Sequence, residues 1–286
     1  MKNGKTATAM TDILEYFEDS LIQHGKENDR VYLMKIGKRD IDKTLDYIES
    51  LVQNNGYTKI FAKVPVCIAG NFLKRGYIQE AFIPNLYKGR EGGCFLARFV
   101  NKNRGIVEEK EEIESIIAVS KGKMKTLPNR EPVEGFVIEE LKTDDAEEMA
   151  VLYEKVFKSY PFPIFKPEYL VKTMQENIIY FGIREKGRLV ALSSSEIDYE
   201  NLNAEMTDFA TLESHRGKGL SLLLLQKMED KMRQLGIKTA YTIARSLSYG
   251  MNITFARGGY EFGNTLINNT NIFGRIESMN VWHKGL

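Results

Sequence analysis

The residues whose types and spacing point most directly to chemistry run from Thr207 to Ser221. Thr207-Asp208-Phe209-Ala210-Thr211-Leu212 reads as a strand. Glu213-Ser214-His215-Arg216-Gly217-Lys218-Gly219-Leu220-Ser221 then turns into a helix rich in Leu and Met. A helix N-terminus carries N–H groups without intrahelical partners, and its dipole favours negative charge. Gly217 and Gly219 let the backbone approach a ligand, and Arg216 and Lys218 add positive charge. The chemistry of such a loop is phosphate or pyrophosphate binding. The loop is not a dinucleotide fingerprint, because the third glycine and the acid about 20 residues on are missing. It is not a P-loop either, because Gly-x4-Gly-Lys-Ser/Thr is absent. Two glycines are also an ordinary way into a helix. The strand before them and the long apolar helix after them favour the anion site.

The elements around this loop read clearly. Strands are expected at 136–141, 178–184, 189–197, 203–212, 239–244, 262–267 and 278–283. Helices are expected at 143–157, 168–175, 219–235 and 249–257, the first capped by Thr143. Residues 159–167 hold three prolines and two phenylalanines and form a loop. The order β-α-α-β-β-β-α-β-α-β-β means an α/β sheet, partly antiparallel where strands follow one another.

The first half has a helix at 13–23, a strand at 31–36 and an amphipathic helix at 40–53 that stops at Asn54-Asn55-Gly56. A strand at 59–64, closed by Pro65, leads to a short helix at 67–74. Strands at 78–83 and 94–99 follow, joined by a loop over 84–93. Residues 108–119 form a charged helix, read as a solvated linker. Residues 121–132 are polar, with two prolines and a glycine, and mark a domain boundary. The expected domains are therefore 1–124 and 125–286.

The chain has 286 residues, 43% hydrophobic and 28% charged, which suits two packed domains. Forty basic residues against thirty-nine acidic ones leave a net charge of +1, so no global drive toward nucleic acid or anionic membrane exists. No apolar run reaches the roughly 20 residues of a membrane span, and no secretion signal is expected from residues 1–16, which lack an apolar stretch of signal-peptide length. A cytoplasmic location is expected. Cys67 and Cys94 have no metal or redox spacing and read as buried thiols. His24, His215 and His283 form no ligand cluster, so no metal is expected.

With these residues in view, the segment from Phe136 to Lys284 resembles the GNAT superfamily of acetyl-CoA-dependent N-acetyltransferases. The element order matches, and the superfamily's pyrophosphate loop, Gln/Arg-x-x-Gly-x-Gly/Ala, falls on Ser214-His215-Arg216-Gly217-Lys218-Gly219. Ser214 departs from the usual Gln or Arg. A more specific similarity spans most of the chain. Ile60-Phe61-Ala62-Lys63-Val64-Pro65, Gly76-Tyr77-Ile78-Gln79-Glu80-Ala81, Met251-Asn252-Ile253-Thr254-Phe255-Ala256, Asn268-Asn269-Thr270 and Glu277-Ser278-Met279-Asn280-Val281-Trp282 resemble the beta-lysine N6-acetyltransferase family. That family acetylates the terminal amine of beta-lysine and makes a compatible solute.

The resemblance implies a GNAT-type mixed, splayed α/β (α+β) sheet with flanking helices, acetyl-CoA as co-substrate, and a small-molecule amine as acceptor. It places pantetheine along Ala210, Thr211 and Leu212, and the pyrophosphate on Arg216, Gly217, Lys218, Gly219, Leu220 and Ser221. The tyrosine that many members use to protonate the leaving thiolate falls on Phe255, and Tyr249, Tyr260 or a water are the candidate replacements. A thiol has a pKa near 8.5, so the leaving group needs little help. The acceptor amine must lose a proton, and Glu196, Asp198, Glu205 and Asp208 are the candidate bases, Glu205 first by analogy and Asp208 beside it. Exposed amides near Thr211 could serve the developing oxyanion. A zwitterionic acceptor needs partners among Glu196, Arg245, Arg275, Asn268 and Asn269. The loop from Tyr160 to Phe165 is a candidate acceptor wall or core packing. Acetylation of another amine, such as a polyamine, amino acid or protein lysine, and a non-catalytic acetyl-CoA-binding role are the competing readings.

The two halves also share a pattern. A strand at 59–64 followed by Phe72-x3-Gly76-Tyr77 parallels a strand at 239–244 followed by Phe255-x3-Gly259-Tyr260. The first half has Ile36-Gly37-Lys38-Arg39-Asp40 where the second has its glycine loop, and an acid at a helix start disfavours a phosphate. The first half is expected to be a degenerate GNAT-like copy without a coenzyme site; the alternative is a likeness common to α/β units.

Overall fold

Two β-sheets organise the residues that the computed structural model describes, which are 12–124, 134–158 and 160–286. The first sheet holds β1 (Ile13–Phe17), β2 (Ser20–Gly25), β3 (Arg30–Lys35), β4 (Lys59–Pro65), β5 (Ile78–Tyr87) and β6 (Glu91–Phe99), in the order β1-β2-β3-β4-β6-β5. Its helices are α1 (Ile41–Asn55) and α2 (Ala69–Leu73), with α3 (Lys110–Gly122) following. The second sheet holds β7 (Phe136–Glu140), β8 (Ile178–Glu185), β9 (Arg188–Asp198), β10 (Asn203–Thr211), β11 (Thr239–Arg245), β12 (Glu261–Ile272) and β13 (Arg275–Gly285), in the order β12-β13-β11-β10-β9-β8-β7. Its helices are α4 (Ala146–Val156), α5 (Pro167–Glu176), α6 (Leu220–Gln234) and α7 (Tyr249–Arg257).

Local chemistry sets the helices. Asp40 caps α1 by accepting from the N–H groups of Asp42 and Lys43, and Gly56 ends the helix at φ +66°. Leu45, Ile48 and Val52 form the stripe that α1 buries. Leu224, Leu225, Met228 and Met232 of α6 are fully buried with Ala204 and Met206 of β10. That packing fixes the α6 N-terminus just past the end of β10.

One connectivity occurs twice. Strands β3-β4-β6-β5, with α1 and α2 in the crossings, have the same order and directions as β10-β11-β13-β12 with α6 and α7. The sheets share a core in which Tyr32, Phe61, Ile83, Leu86 and Phe95 pack with Tyr241, Leu266, Met279 and Val281. Polar bonds reinforce the seam: buried Lys59 pairs with Glu80 at 2.8 Å, Lys59 donates to Ile267 O at 2.6 Å, and Glu80 accepts from Ile267 N at 2.8 Å.

Several expectations are corrected. Residues 13–23 form the β1–β2 hairpin instead of a helix. Glu18 turns the chain at φ +52°, and Ile22 and Gln23 are buried where a helix would expose one face. Strands β5 and β6 run through most of the expected 84–93 loop, with Pro84 in the stretch where their register slips. α3 is not a bare solvated linker, because Ile113 and Ile116 are buried. Thr143 opens a 3-10 turn, and Asp145 accepts from Lys142 N there. Of the cysteines, Cys94 is buried but Cys67 is exposed. Most of the expected boundary at 121–132 lies outside the described residues.

Candidate active site

The site begins where two parallel strands part. β10 pairs with β11 over three rungs, Asn203↔Thr239, Ala204↔Ala240 and Glu205↔Tyr241. Beyond Glu205, β10 continues to Thr211 and β11 to Arg245 without pairing. A β-bulge in β10, between Thr207 and Ala210, accompanies the splay. Asp208 sits in the bulge at φ +56°, a conformation an aspartate tolerates better than most residues. The N–H of Leu212 donates to Val190 O at 3.0 Å. Successive strand N–H groups point to opposite sides, so the N–H of Thr211 faces the gap.

The gap opens into a cavity of about 850 Å³. The second half contributes Glu196, Asp198, Glu205, Thr207, Asp208 and Tyr241. The first half closes the opposite wall with Arg30, Tyr32, Phe61 and Lys63. The loop residues Tyr160, Pro161, Phe162 and Ile164 line it too, so the aromatic segment does form a wall. Ile164 is also part of the core.

Burial raises three of the carboxylates in this space, Glu196, Glu205 and Asp208. Glu205 stands opposite Glu196 in the β9–β10 ladder, an arrangement that disfavours two negative charges. Burial, with Glu196 beside it, pushes the Glu205 carboxyl up to about 7. Burial also raises Glu196, against the pull of Lys63. Asp208 is raised by burial, while hydrogen bonds from Ser194, Tyr160 and Thr207 hold it back. Lys63 Nζ donates to Tyr241 Oη at 2.7 Å, and the Tyr241 hydroxyl, close to Glu205, draws its carboxyl down against the effect of burial. Burial and Glu205 hold the Tyr241 phenol well above its ordinary range, so it stays a donor.

The glycine loop follows the splay. Gly217 and Gly219 adopt φ +79° and +77°, which explains both glycines. A Cβ at either position would meet open space, so the loop faces outward. α6 starts from Gly219 without a side-chain cap, which leaves its first N–H groups available. Arg216 and Lys218 are exposed, and Lys218 lies 3.9 Å from Glu185. Ser214 donates to or accepts from His215 Nδ1 at 2.9 Å, and His215 Nε2 meets Glu185 at 3.1 Å. The position that departs from the loop pattern thus braces the turn. A pyrophosphate fits this donor set: unspent amides, a helix dipole and two cations.

The structure brings together Glu196, Asp198, Glu205, Asp208, Arg245 and Asn269, and leaves other expected residues aside. Tyr249 is 44% exposed and does not line the cavity. Tyr260 is fully buried in the core beside Phe255, with ring centroids 5.1 Å apart. Arg245 reaches the cavity with its charge already paired to Glu277 at 2.8 and 3.0 Å. Arg275 pairs with Glu109. Asn268 does not line the cavity, because its side chain donates to Arg104 O and Ile106 O at 2.9 and 2.7 Å. Asn269 lines the cavity, and its Oδ1 is buried without a partner. Sequence reasoning missed the contribution of Arg30, Tyr32 and Lys63. In β3, Arg30, Tyr32 and Met34 share one strand face, but nothing in the local pattern says that this face, or Lys63 of β4, meets the second half.

Comparison with known proteins agrees with this geometry. Residues 144–248 match the model of the acetyltransferase (GNAT) family. The chain is 42% identical to the beta-lysine N(6)-acetyltransferase of Methanococcus maripaludis, over 96% of this chain and 99% of that one. It is 30% identical to the N-acetyltransferase YodP of Bacillus subtilis, over 93% and 96%. It is 31% identical to the beta-lysine N(6)-acetyltransferase of Methanosarcina mazei, over 72% and 83%. A GNAT-type α/β sheet splayed at its centre, and near-complete coverage by such relatives, lead to one conclusion: the chain is an N-acetyltransferase and belongs to the beta-lysine N6-acetyltransferase family of the GNAT superfamily.

Proposed function

We propose that the protein transfers the acetyl group of acetyl-CoA to the N6 amine of beta-lysine by direct attack in a ternary complex. The observation that carries this reading is the carboxylate pair Glu196 and Glu205 at the splay, inside a cavity that also holds cations. A diamino acid has two ammonium groups and one carboxylate, and the cavity offers both signs of charge. The curated relatives of Methanococcus and Methanosarcina carry the same activity in their names.

Acetyl-CoA supplies an activated thioester. The loop from Arg216 to Ser221 would hold its pyrophosphate, and Ala210 to Leu212 would line its pantetheine arm. Glu205 accepts a proton from the acceptor ammonium. An amine with pKa about 10.4 gives it up readily only to a base poised near neutrality, which is the condition of Glu205. Glu196 and Asn269 Oδ1 are the acceptors available to the ammonium groups. The Thr211 N–H faces the side on which negative charge develops. Neither Cys67 nor Cys94 lines the cavity, which favours direct attack over an acetyl-cysteine route. Tyr241 and Tyr160 are among the phenols that line the cavity, and Tyr249 is not.

We read the chain as two domains, 1–124 and 125–286. The repeated strand order supports a first domain that is a GNAT-like copy. In place of a glycine loop, its α1 N-terminus has the carboxylate of Asp40 on the amides a phosphate would use. Among the described residues no helix is long and apolar enough to cross a membrane. Acetylation turns a cation into a zwitterion of zero net charge, which suits a compatible solute in the cytoplasm.

Steady-state release of coenzyme A, with beta-lysine, alpha-lysine and spermidine as separate acceptors, tests the reading. Turnover dominated by beta-lysine, with intersecting initial-velocity lines, is expected. Equal or better turnover of spermidine would overturn the substrate, and parallel lines would overturn the ternary complex.

A further inference from the structure

Two cationic residues are buried to 5% exposure or less among the described residues, Arg30 and Lys59. Lys59 has its counter-ion in Glu80. For Arg30 no carboxylate oxygen of the described residues comes within 4.0 Å. Its guanidinium donates to three neutral acceptors: Asn269 O, Thr270 Oγ1 at 3.3 Å and Gln23 Oε1 at 3.5 Å. Its Nε has no partner. Asp12 and Glu80 act on it only through space. Asp12 is committed to Asn28 Nδ2 and Glu27 N, and Glu80 to Lys59 and Ile267 N. The guanidinium lies over the rings of Tyr32 and Phe61, 5.1 and 5.7 Å from their centroids, in the wall of the cavity. Burial lowers its pKa to about 10, which leaves it charged at neutral pH. A buried charge without a counter-ion is costly unless something supplies one.

We infer that Arg30, from the half without a coenzyme loop, is the anchor for the carboxylate of an amino-acid acceptor. The inference rests on the acceptor reading above. Arg245, the cation that the sequence offers for this task, is already neutralised by Glu277. Asn269 lies beside Arg30, with a buried Oδ1 that lacks a donor. A guanidinium for the carboxylate and an amide oxygen for a nearby ammonium fit the head of a diamino acid. The amine at the far end is then left for Glu205. In this arrangement the first half selects the acceptor and the second half holds the acetyl donor.

The test compares acceptors that differ only in the carboxylate: beta-lysine against 1,4-diaminopentane, and alpha-lysine against 1,5-diaminopentane. The wild-type enzyme is expected to favour the amino acid of its preferred pair strongly in kcat/KM. Arg30→Gln raises KM for that amino acid by about 10- to 100-fold, keeps kcat of the same order, and leaves the diamine unchanged. Arg30→Lys recovers part of the loss. Wild-type enzyme that uses the diamine as well as its amino acid overturns the anchor without any variant. So does an Arg30→Gln enzyme that loses both acceptors equally. Turnover of alpha-lysine but not beta-lysine, with the same Arg30 dependence, overturns the substrate assignment and supports the anchor.

Discussion

Glu196 and Glu205 occupy one rung of the β9–β10 ladder, side by side in the wall of the cavity where β10 leaves β11. Two carboxylates so placed titrate as a pair, and the second proton is held into the neutral range. With Glu205 raised to about 7, kcat should rise with pH through that value and then level off. Glu205→Gln should lower kcat by about 10²- to 10⁴-fold and abolish that limb. Glu196→Gln removes the neighbouring charge, so the limb should move down by about one pH unit. A pH–rate profile unchanged in Glu196→Gln would separate the two residues functionally.

The same shift has a consequence for stability. A carboxyl whose pKa is near 7 when folded and about 4.3 when unfolded binds its proton more tightly in the folded state. Stability should therefore fall as pH rises from about 4.3 to 7, and stay at the lower value above that window. Glu205→Gln removes the burden and should gain about 1–3 kcal/mol at pH 8 and nothing at pH 4. Thermal denaturation of both proteins at the two pH values measures this directly. An inactive but stabilised variant would be the mark of a site that sacrifices stability for a poised base.

At the coenzyme end, Gly219 carries φ +77° with open space where a Cβ would lie. Gly219→Ala is therefore a backbone change with no internal clash. It should cost about 1 kcal/mol of stability and raise KM for acetyl-CoA by about tenfold, with the acceptor KM nearly unchanged. Arg216→Ala, exposed and free of strain, should raise the same KM with no loss of stability and with weaker salt dependence. If either variant altered only the acceptor KM, the loop would not be the pyrophosphate site.

These contrasts explain what the sequence could reveal. Gly217 and Gly219 were legible because a positive φ demands glycine, and α1, α6 and the later strands because their apolar periods are regular. Residues 13–23 misled because Ile13, Tyr16, Phe17 and Leu21 fit a helical spacing by chance, while the Glu18-Asp19 turn puts its positive φ on a glutamate and not on glycine or asparagine. Arg245 and Asn268 have suitable side chains for substrate binding, but Glu277, Arg104 O and Ile106 O already use them. Partners contributed from distant segments decide whether a polar residue is free, and local pattern does not contain them. The role of Arg30 was hidden for the same reason: it depends on packing one half against the other.

That packing makes its own prediction. Lys59 and Glu80 belong to the first half, yet both hold Ile267 of β12 through its carbonyl and its N–H. Glu80→Ala would leave a buried ammonium unpaired and the Ile267 N–H unbonded. It should cost about 3–5 kcal/mol. Because the pair spans the seam, the loss should lower a single cooperative transition rather than split it. Replacing both charges, as in Lys59→Met with Glu80→Leu, should cost less than the single change. A loss below about 1 kcal/mol for Glu80→Ala, measured in urea, would mean that the seam does not depend on the pair.

Position 255 holds a phenylalanine where many GNAT enzymes have a tyrosine. Phe255 is fully buried, with its ring packed against Phe209 and Tyr260, and cannot exchange a proton. Tyr249, the nearby substitute that the sequence suggests, is exposed and outside the cavity wall. Tyr249→Phe should therefore leave kcat within about twofold, as expected for a surface change. Tyr241→Phe removes the hydroxyl that accepts from Lys63 and acts on Glu205. It removes a polar group that draws the Glu205 carboxyl down, which should raise the apparent pKa of the acidic limb and lower activity most at neutral pH. Thiolate departure itself needs little assistance near neutrality, so neither change should approach the loss in Glu205→Gln. Pre-steady-state and steady-state rates of the three variants at pH 7 and 9 distinguish them. If Tyr249→Phe proved the most damaging, α7 would have to bring its first turn into the cavity during turnover.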